Sequence, residues 1–504
     1  MSKTDLVDPK VVAFVPEIWY HIHDNIGDCM FIGRQDQLDA LSQLWDKRTS
    51  SLVTCRGRRR IGKSTLISEF ARHTADRFIN IVGLPPRKGM TDRAQRRNFC
   101  GELADQTGTD IAMAKNWTEA FKSLDNAIPD SGRTVVLLDE ISWMGSRNPD
   151  FAGFLKTAWD KRLKQHANIV LVLCGSVSSW IAENILDSTG FVGRDSLDIE
   201  VGELSLAEST SMFGMAGQRL SSRELFDILS ITGGVPKYLE EVHPEWTVEE
   251  NVRQLCFMPR GTLFREFNET FSDVFGRRAS SRGAILQNLA ESPLSVAELA
   301  KAMRKTPNGK LTKALKDLEY AGFVARDSGI NPQTGEPLRM ERYRIKDNYT
   351  RFYLRYVAPR RQAIAKELFK FSSLEQLNGW ETMLGLQFEN LILNHVEDLL
   401  PRFGLERSLV LSASPYTRRA CNGGKGCQID LLIQTERMAL VVEIKRRKEI
   451  GHDIIDEVNA KVAALDVSRH LSIRTALVYD GDLAPSVVAD RYFDFIVDAK
   501  SLLR

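Results

Sequence analysis

Three charged residues interrupt the apolar runs of QIDLLIQTERMALVVEIKRR, residues 428–447: Asp430 in the first run, Glu443 and Lys445 in the second. Residues i and i+2 of a strand share a face, so Glu443 and Lys445 point the same way and Ile444 points opposite. A polar turn at 434–437 separates the runs, and pairing them as strands would bring Asp430 and Glu443 together with Lys445 alongside. Two carboxylates that close repel unless a cation lies between them, and Mg2+ favours such hard oxygen ligands. Lys445 is then placed to orient or activate a metal-associated water for attack on a phosphodiester. The plainer alternative leaves Glu443 and Lys445 as a same-face ion pair on an exposed strand, with Asp430 in a turn.

A second constellation lies nearly four hundred residues upstream. SLVTCRGRRRIGKSTLISEFARH places GRRRIGKST after a short apolar run and before an amphipathic helix, the strand–loop–helix context that GxxxxGK[ST] requires. Gly57 and Gly62 let the backbone curl around phosphates, whose charge meets the amides of Arg58, Arg59, Arg60, Ile61 and Thr65 at the loop and helix N-terminus. Lys63 reaches the β- and γ-phosphates, and the Ser64 hydroxyl is a ligand for Mg2+. The three arginines read equally well as a solvated charge run. In RTVVLLDEISWM the run from Val135 to Leu138 reads as a buried strand ending in Asp139, placed to hold Mg2+, and Glu140, able to polarise the attacking water. The alternative is an acidic strand end that caps the next helix. NIVLVLCGS ends in Ser176, a polar sensor for the γ-phosphate, and Arg194 in FVGRDS is either a transition-state cation or a plain surface arginine. These residues together predict ATP and Mg2+ as cofactors and ATP hydrolysis as a reaction.

The elements that must position these residues follow from the rest of the chain. Its 504 residues exceed one hydrophobic core and predict about three domains. A net charge of +2 is no nucleic-acid signature by itself, but residues 401–450 carry ten Lys/Arg against five Asp/Glu. Seven cysteines, odd in number and scattered from Cys29 to Cys427, argue for a reducing compartment rather than a disulfide framework. Cys421 and Cys427 flank NGGKG without a second Cys/His pair at metal spacing, and His21 and His23 read as structural. The N-terminus lacks the apolar core of a signal peptide and no run is long enough to span a bilayer, which predicts a cytoplasmic protein without a membrane partner.

Alternating β-rich and helical patterns over 30–204 predict a parallel α/β sheet, and helical patterns follow over 205–275. At 276–350, Ser295 and Glu298 form a capping box with Leu294 and Leu299 as the staple. Thr306 before Pro307 reads as an N-cap with proline at the first helical position. Leu311, Leu315 and Leu318 make the buried stripe of that helix, and Lys310, Lys313 and Lys316 fall on another face. Two helices, a tight turn, and strands around Phe323 and Tyr343 suggest a winged helix-turn-helix whose lysines meet DNA phosphates or stay solvated. Bridging helices fill 351–378, and 379–504 is a separate α/β domain. Residues 1–29 are an N-terminal extension.

Six motifs now fall in one order: FIGRQDQLDAL, GRRRIGKST, LLDE, LCGS, VGR and TGGVPKYL. In that order they resemble the archaeal-type ATPase family of the wider AAA+/STAND group, over about residues 30–350. The resemblance implies a P-loop ATPase core with a helical lid, adenine contacts at Ile32 and Arg34, and nucleotide sensing around Gly233, Gly234 and Pro236. At the other end, Asp430 followed by Glu443-Ile444-Lys445 resembles the PD-(D/E)xK nuclease superfamily, with its restriction-endonuclease-like fold. That resemblance implies Glu389, beside the apolar stripe of Phe388, Ile392 and Val396, as an accessory metal ligand, with Lys461 a further candidate. The proline often found before the aspartate is absent.

The combined expectation is a multidomain α/β protein in which ATP controls a Mg2+-dependent nuclease acting on DNA, with RNA left open, suited to mobile-element or phage-defence biology. The rival expectation is a nucleotide-switched DNA-binding or scaffold ATPase whose nuclease-like domain does not cut. A homo-oligomer follows only if Arg194 acts across a subunit interface.

Overall fold

Short runs of leucine and β-branched residues, each closed by a loop, build the first sheet. The computed structural model describes residues 31–87, 89–338, 340–418 and 426–504, so the extension at 1–29, His21, His23 and Cys421 lie outside the described residues. Its strands are β1 (Ser51–Gly57), β2 (Arg77–Val82), β3 (Thr134–Asp139), β4 (Ile169–Gly175) and β5 (Asp195–Val201), in the spatial order β2-β3-β4-β1-β5. Every pairing is parallel. Every residue of β3 and β4 is buried, because helices cover both faces of a parallel sheet. The order sets β4 between β1 and β3, so the carboxyl ends of these three strands lie side by side.

Helices dominate the next stretch. Leu206–Ser211 and Ser222–Thr232 each begin with a capping box, Ser205 with Glu208 and Ser221 with Glu224. Val248–Cys256 and Thr262–Phe275 follow, the latter burying Phe264, Phe267, Phe271 and Phe275. Three more helices, Ala279–Leu289, Val296–Ala302 and Gly309–Tyr320, precede an antiparallel ribbon of β6 (Val324–Asp327) and β7 (Arg342–Ile345). The Ser295–Glu298 capping box forms as its sequence predicts. The expected cap at Thr306 does not. Asn308 takes that place, its carboxamide accepting from the Leu311 N–H at 3.0 Å, so the helix starts at Gly309 beyond Pro307.

The second large sheet runs β12-β11-β10-β9-β8, with β8 (Ser412–Arg418), β9 (Cys427–Gln434), β10 (Met438–Ile450), β11 (Ser472–Leu483) and β12 (Phe495–Asp498). β8, β9 and β10 pair antiparallel, since a three-residue turn suffices between β9 and β10. β10, β11 and β12 are parallel, and the helix Asp453–Ala464 makes the longer crossover from β10 to β11. Val442 pairs with Leu431, which leaves Glu443 and Asp430 as the next residues along the two strands.

Apolar residues divide into cores that cross the boundaries suggested by sequence. One core joins Leu225, Phe226 and Leu229 of the helical segment to Phe388 and Leu391 of the helix Trp380–Asn394 and to Leu440 and Val442 of β10. Phe226 and Phe388 meet edge to face at 5.2 Å, an arrangement worth about 0.5–1.5 kcal/mol beyond the area it buries. The opposite face of the same sheet packs on Ile454, Ile455 and Val458 of the helix Asp453–Ala464. From Arg34 to Arg504 the chain is one compact unit. Among the described residues no helix is long and apolar enough to cross a membrane.

Candidate functional site

The loop after β1 adopts the backbone that its glycines permit. Gly57 has φ 147° and Gly62 φ 86°, conformations that L side chains rarely adopt. A Cβ at Gly57 would run into the Val201 carbonyl of β5. Gly62 caps the helix Lys63–Thr74, whose first amides and dipole face the loop. Ile61 is buried under the loop and Thr65 is exposed on the first helical turn. Lys63 is only 7% exposed, and its Nζ donates to the Arg58 carbonyl at 2.8 Å.

Two strand ends, those of β3 and β4, bring the other polar groups to this loop and its helix. Ser64 Oγ donates to Asp139 Oδ2 at 2.6 Å, which sets two hard oxygen donors side by side. That pair fits Mg2+ by its chemistry. Glu140 takes the left-handed backbone at φ 48° and so turns its side chain toward β4. There Ser176 Oγ donates to both of its oxygens, at 3.0 and 2.9 Å, and the Ser176 N–H donates at 3.2 Å. Burial raises the Glu140 carboxyl above its ordinary range; Lys63 and Ser176 pull it back while Asp139 adds to the rise. The candidate base and the candidate γ-phosphate sensor are thus one hydrogen-bonded pair.

Each arginine of the loop has an acidic partner, and their exposure runs from buried Arg58 to exposed Arg60. Arg58 is buried, pairing with Asp347 at 2.5 Å and donating to the Tyr238 hydroxyl at 3.0 Å. Its guanidinium also lies over the Tyr238 and Phe323 rings. Arg59 pairs with Asp273, and Arg60 with the buried Glu266 at 3.2 Å. Their side chains therefore tie the loop to neighbouring helices, and the backbone amides remain the part offered to phosphate. Arg34 does similar work: its guanidinium donates to the Gly202 carbonyl at 2.6 Å and to the Ile61 carbonyl at 3.4 Å, and its N–H donates to Glu208 at 2.8 Å. Ile32 is half-buried and belongs to the segment Met1–Gly33, a separate unit. Gly234 donates to Glu203 at 3.0 Å, and Pro236 is the nearest neighbour a Cβ on Gly62 would meet. Arg194 is held by a two-pronged ion pair with Asp160, at 2.7 and 3.0 Å.

At the second sheet, Glu443 has no exposed surface and Asp430 is half-buried beside it. Asp430 Oδ2 accepts from the Ile444 N–H at 3.0 Å. Lys445 Nζ lies 2.7 Å from Glu443 Oε1 and 3.0 Å from Glu457 Oε2. Lys461, on the helix after β10, donates to Glu443 Oε2 and lies 3.3 Å from Asp430 Oδ1. The cation between the two carboxylates is therefore an ammonium of the chain itself. Burial works against the charge of Lys445 and of Lys461, but the acids outweigh it and hold both above the ordinary lysine value. Burial, and then Glu443, raises Asp430. Burial, and then Asp430, pushes Glu389 up to about 7.

Glu389 opens onto a cavity of about 180 Å3 between the β6–β7 ribbon and the second sheet, lined also by Asp327, Arg342, Arg344 and Gln428. Among the described residues no group of three or more His, Cys, Asp or Glu is arranged to hold a metal. Asp430 and Glu443 have the donor chemistry for Mg2+, but with Lys461 between them they do not fit it in this arrangement.

Sequence reasoning underrated Lys461 and missed Asp347, Gln387 and Asn390. Gln387 is fully buried and Asn390 nearly so, on a helix face otherwise made of Phe388, Leu391 and Ile392. Polar residues embedded in that apolar face were the available signal.

Comparison with known proteins bears on the first of these sites. Residues 31–242 match the family described as an ATPase domain predominantly from Archaea. An uncharacterized protein of Methanocaldococcus jannaschii is 24% identical over 431 residues, 84% of this chain and 89% of that protein. An uncharacterized ATP-binding protein of the same organism is 39% identical over 44 residues, 9% of this chain and 75% of that protein. Among solved structures, the Walker-type ATPase of Pyrococcus abyssi is similar at 16% identity and a TM-score of 0.45, over 64% of this chain and 96% of its own. The Aeropyrum pernix ORC2 protein, in its ADPNP–ADP complexes, is similar at 14% identity and a TM-score of 0.42, over 68% and 97%.

Proposed function

We propose, from the match of residues 31–242 to an ATPase domain family predominantly from Archaea, that the chain binds and hydrolyses ATP and uses it to control a DNA-cleaving site at Asp430, Glu443 and Lys445. Lys63 and the loop amides bind the phosphates, Ser64 and Asp139 hold Mg2+, and Glu140, once Ser176 turns to the γ-phosphate, orients the attacking water. The helices and ribbon at 279–345 act as a winged helix that docks on DNA. The residues at 379–504 act as a nuclease-like domain of the PD-(D/E)xK kind.

One observation supports the cutting site above all: two half-buried or buried carboxylates and two lysines converge on a single point of β9, β10 and the following helix. Asp430 and Glu443 would hold Mg2+ only with the Lys461 ammonium displaced, and the ion would there supply polarisation of a phosphodiester. Lys445 stays on Glu443 and holds it in place. Cleavage of supercoiled and linear DNA with Mg2+, with and without ATP, tests the proposal against Asp430→Ala. Cutting lost in the variant, with ATP turnover retained, is the expected result.

The position of Lys461 favours a second reading. A carboxylate pair already neutralised from within is stable without metal, as a docking surface would be. Absence of cutting under every condition, with ATP hydrolysis intact, would establish the nucleotide-switched scaffold instead.

A further inference from the structure

The phosphate-binding loop and the helix that carries Glu389 are joined through the protein interior. Lys63 Nζ donates to the Arg58 carbonyl, and the Arg58 guanidinium pairs with Asp347, which has no exposed surface. Asp347 caps the short helix Asn348–Phe352 by accepting from the Thr350 N–H at 2.9 Å. That helix is bolted to Trp380–Asn394 by side chains. Gln387 Nε2 donates to the Asn348 carbonyl at 2.7 Å, Asn348 Nδ2 to the Gln387 carbonyl at 3.2 Å, and Arg351 to Gln387 Oε1 at 3.0 Å. Asn390 Nδ2 donates to Asn348 Oδ1 at 2.5 Å. Glu389 sits between Gln387 and Asn390 in sequence. A second bond from Gln387 Nε2, 2.8 Å long, reaches the Ser230 carbonyl, three residues before the Gly233–Pro236 turn beside the loop.

We propose that Arg58 and Asp347 are a positioning pair through which the nucleotide state of the loop sets the position of Glu389. Phosphate competes with the Arg58 carbonyl for Lys63, so a filled loop and an empty one favour different placements of Arg58. Arg58 and Asp347 move as one, because parting them strands a buried charge. Asp347 carries the Asn348–Phe352 helix with it, and the paired amides of Asn348 and Gln387 pass the shift to Trp380–Asn394. A close-packed interior responds to such a shift by changing between discrete packings rather than by bending. The proposal rests on the nucleotide-binding half of the function above and not on cutting.

Amide hydrogen exchange of the full chain tests it, with no nucleotide, with ADP and with a non-hydrolysable ATP analogue, alongside nucleotide binding measured separately. In the wild type, nucleotide is expected to change exchange along Trp380–Asn394 by about 5-fold or more. Asp347→Asn keeps the shape and the capping oxygen but removes the charge. It leaves the buried Arg58 without its partner charge, so it is expected to lower stability and, while still binding nucleotide, to lose the response along Trp380–Asn394. Gln387→Leu breaks the relay at its far end and must lose the response too, which covers the case of a poorly folded Asp347 variant. Nucleotide binding without any response in the wild type overturns the relay alone, as does a response that survives in both variants. Absence of nucleotide binding overturns the functional reading and the relay together.

Discussion

Lys461 Nζ donates to Glu443 Oε2 across 18 residues of sequence, from the helix that follows the strand bearing the carboxylate. A metal ion at the proposed site would compete with this ammonium for the same oxygen. Lys461→Met is expected to destabilise the metal-free chain by about 1–3 kcal/mol, because the buried Glu443 loses a charged partner. The same change should enlarge the stabilisation that Mg2+ or Mn2+ gives in thermal unfolding. Equal metal response in wild type and variant would show that the carboxylate pair is not a metal site.

In the proposed function, the Glu140–Ser176 pair would separate nucleotide binding from turnover. Glu140→Gln keeps the shape and both contacts but cannot carry the charge that orients water, and it is expected to lower ATP turnover about 100- to 10,000-fold. Binding of a fluorescent ATP analogue should survive in that variant and be lost in Lys63→Ala. Turnover that Glu140→Gln leaves unchanged would move the catalytic role elsewhere.

Lys313 on the helix Gly309–Tyr320 lies 3.1 Å from Glu183, so one of the lysines proposed for DNA is engaged with the segment that matches the ATPase family. Both partners are more than half exposed, and such a pair adds about 0–1 kcal/mol at most. Glu183→Ala is therefore expected to leave stability unchanged and to tighten DNA binding modestly by freeing the ammonium. Lys313→Ala should lower the slope of log affinity against log salt by about one. Identical salt slopes for the wild type and Lys313→Ala would exclude this helix from the DNA contact.

Asp195, at the start of β5, gives the fold a pH dependence of definite sign. Burial, with Asp198 adding, raises its carboxyl to about 6 from an ordinary 3.8. Between those values the folded chain holds a proton that the unfolded chain has released, so stability falls as pH rises through the window and is level above it. Urea midpoints measured across that window should fall with pH in the wild type. Asp195→Asn should remove this part of the slope.

What the sequence determined by itself was local. The loop from Gly57 to Ser64, the strand ends at Asp139 and Ser176, and the Ser295 capping box depend on residue type within one turn or strand. Spacing along the chain therefore sufficed to find them. The i, i+2 rule likewise placed Glu443 and Lys445 on one face. Only the tertiary structure decided who neutralises whom. Arg58 serves Asp347, 289 residues away, Arg194 serves Asp160, and Lys461 fills the space between Asp430 and Glu443. The shared core of Phe226, Phe388 and Val442 was equally hidden. Charge pairing and core sharing depend on distance through space and on exclusion of water, and no periodicity along a chain encodes which distant strand or helix will supply the partner.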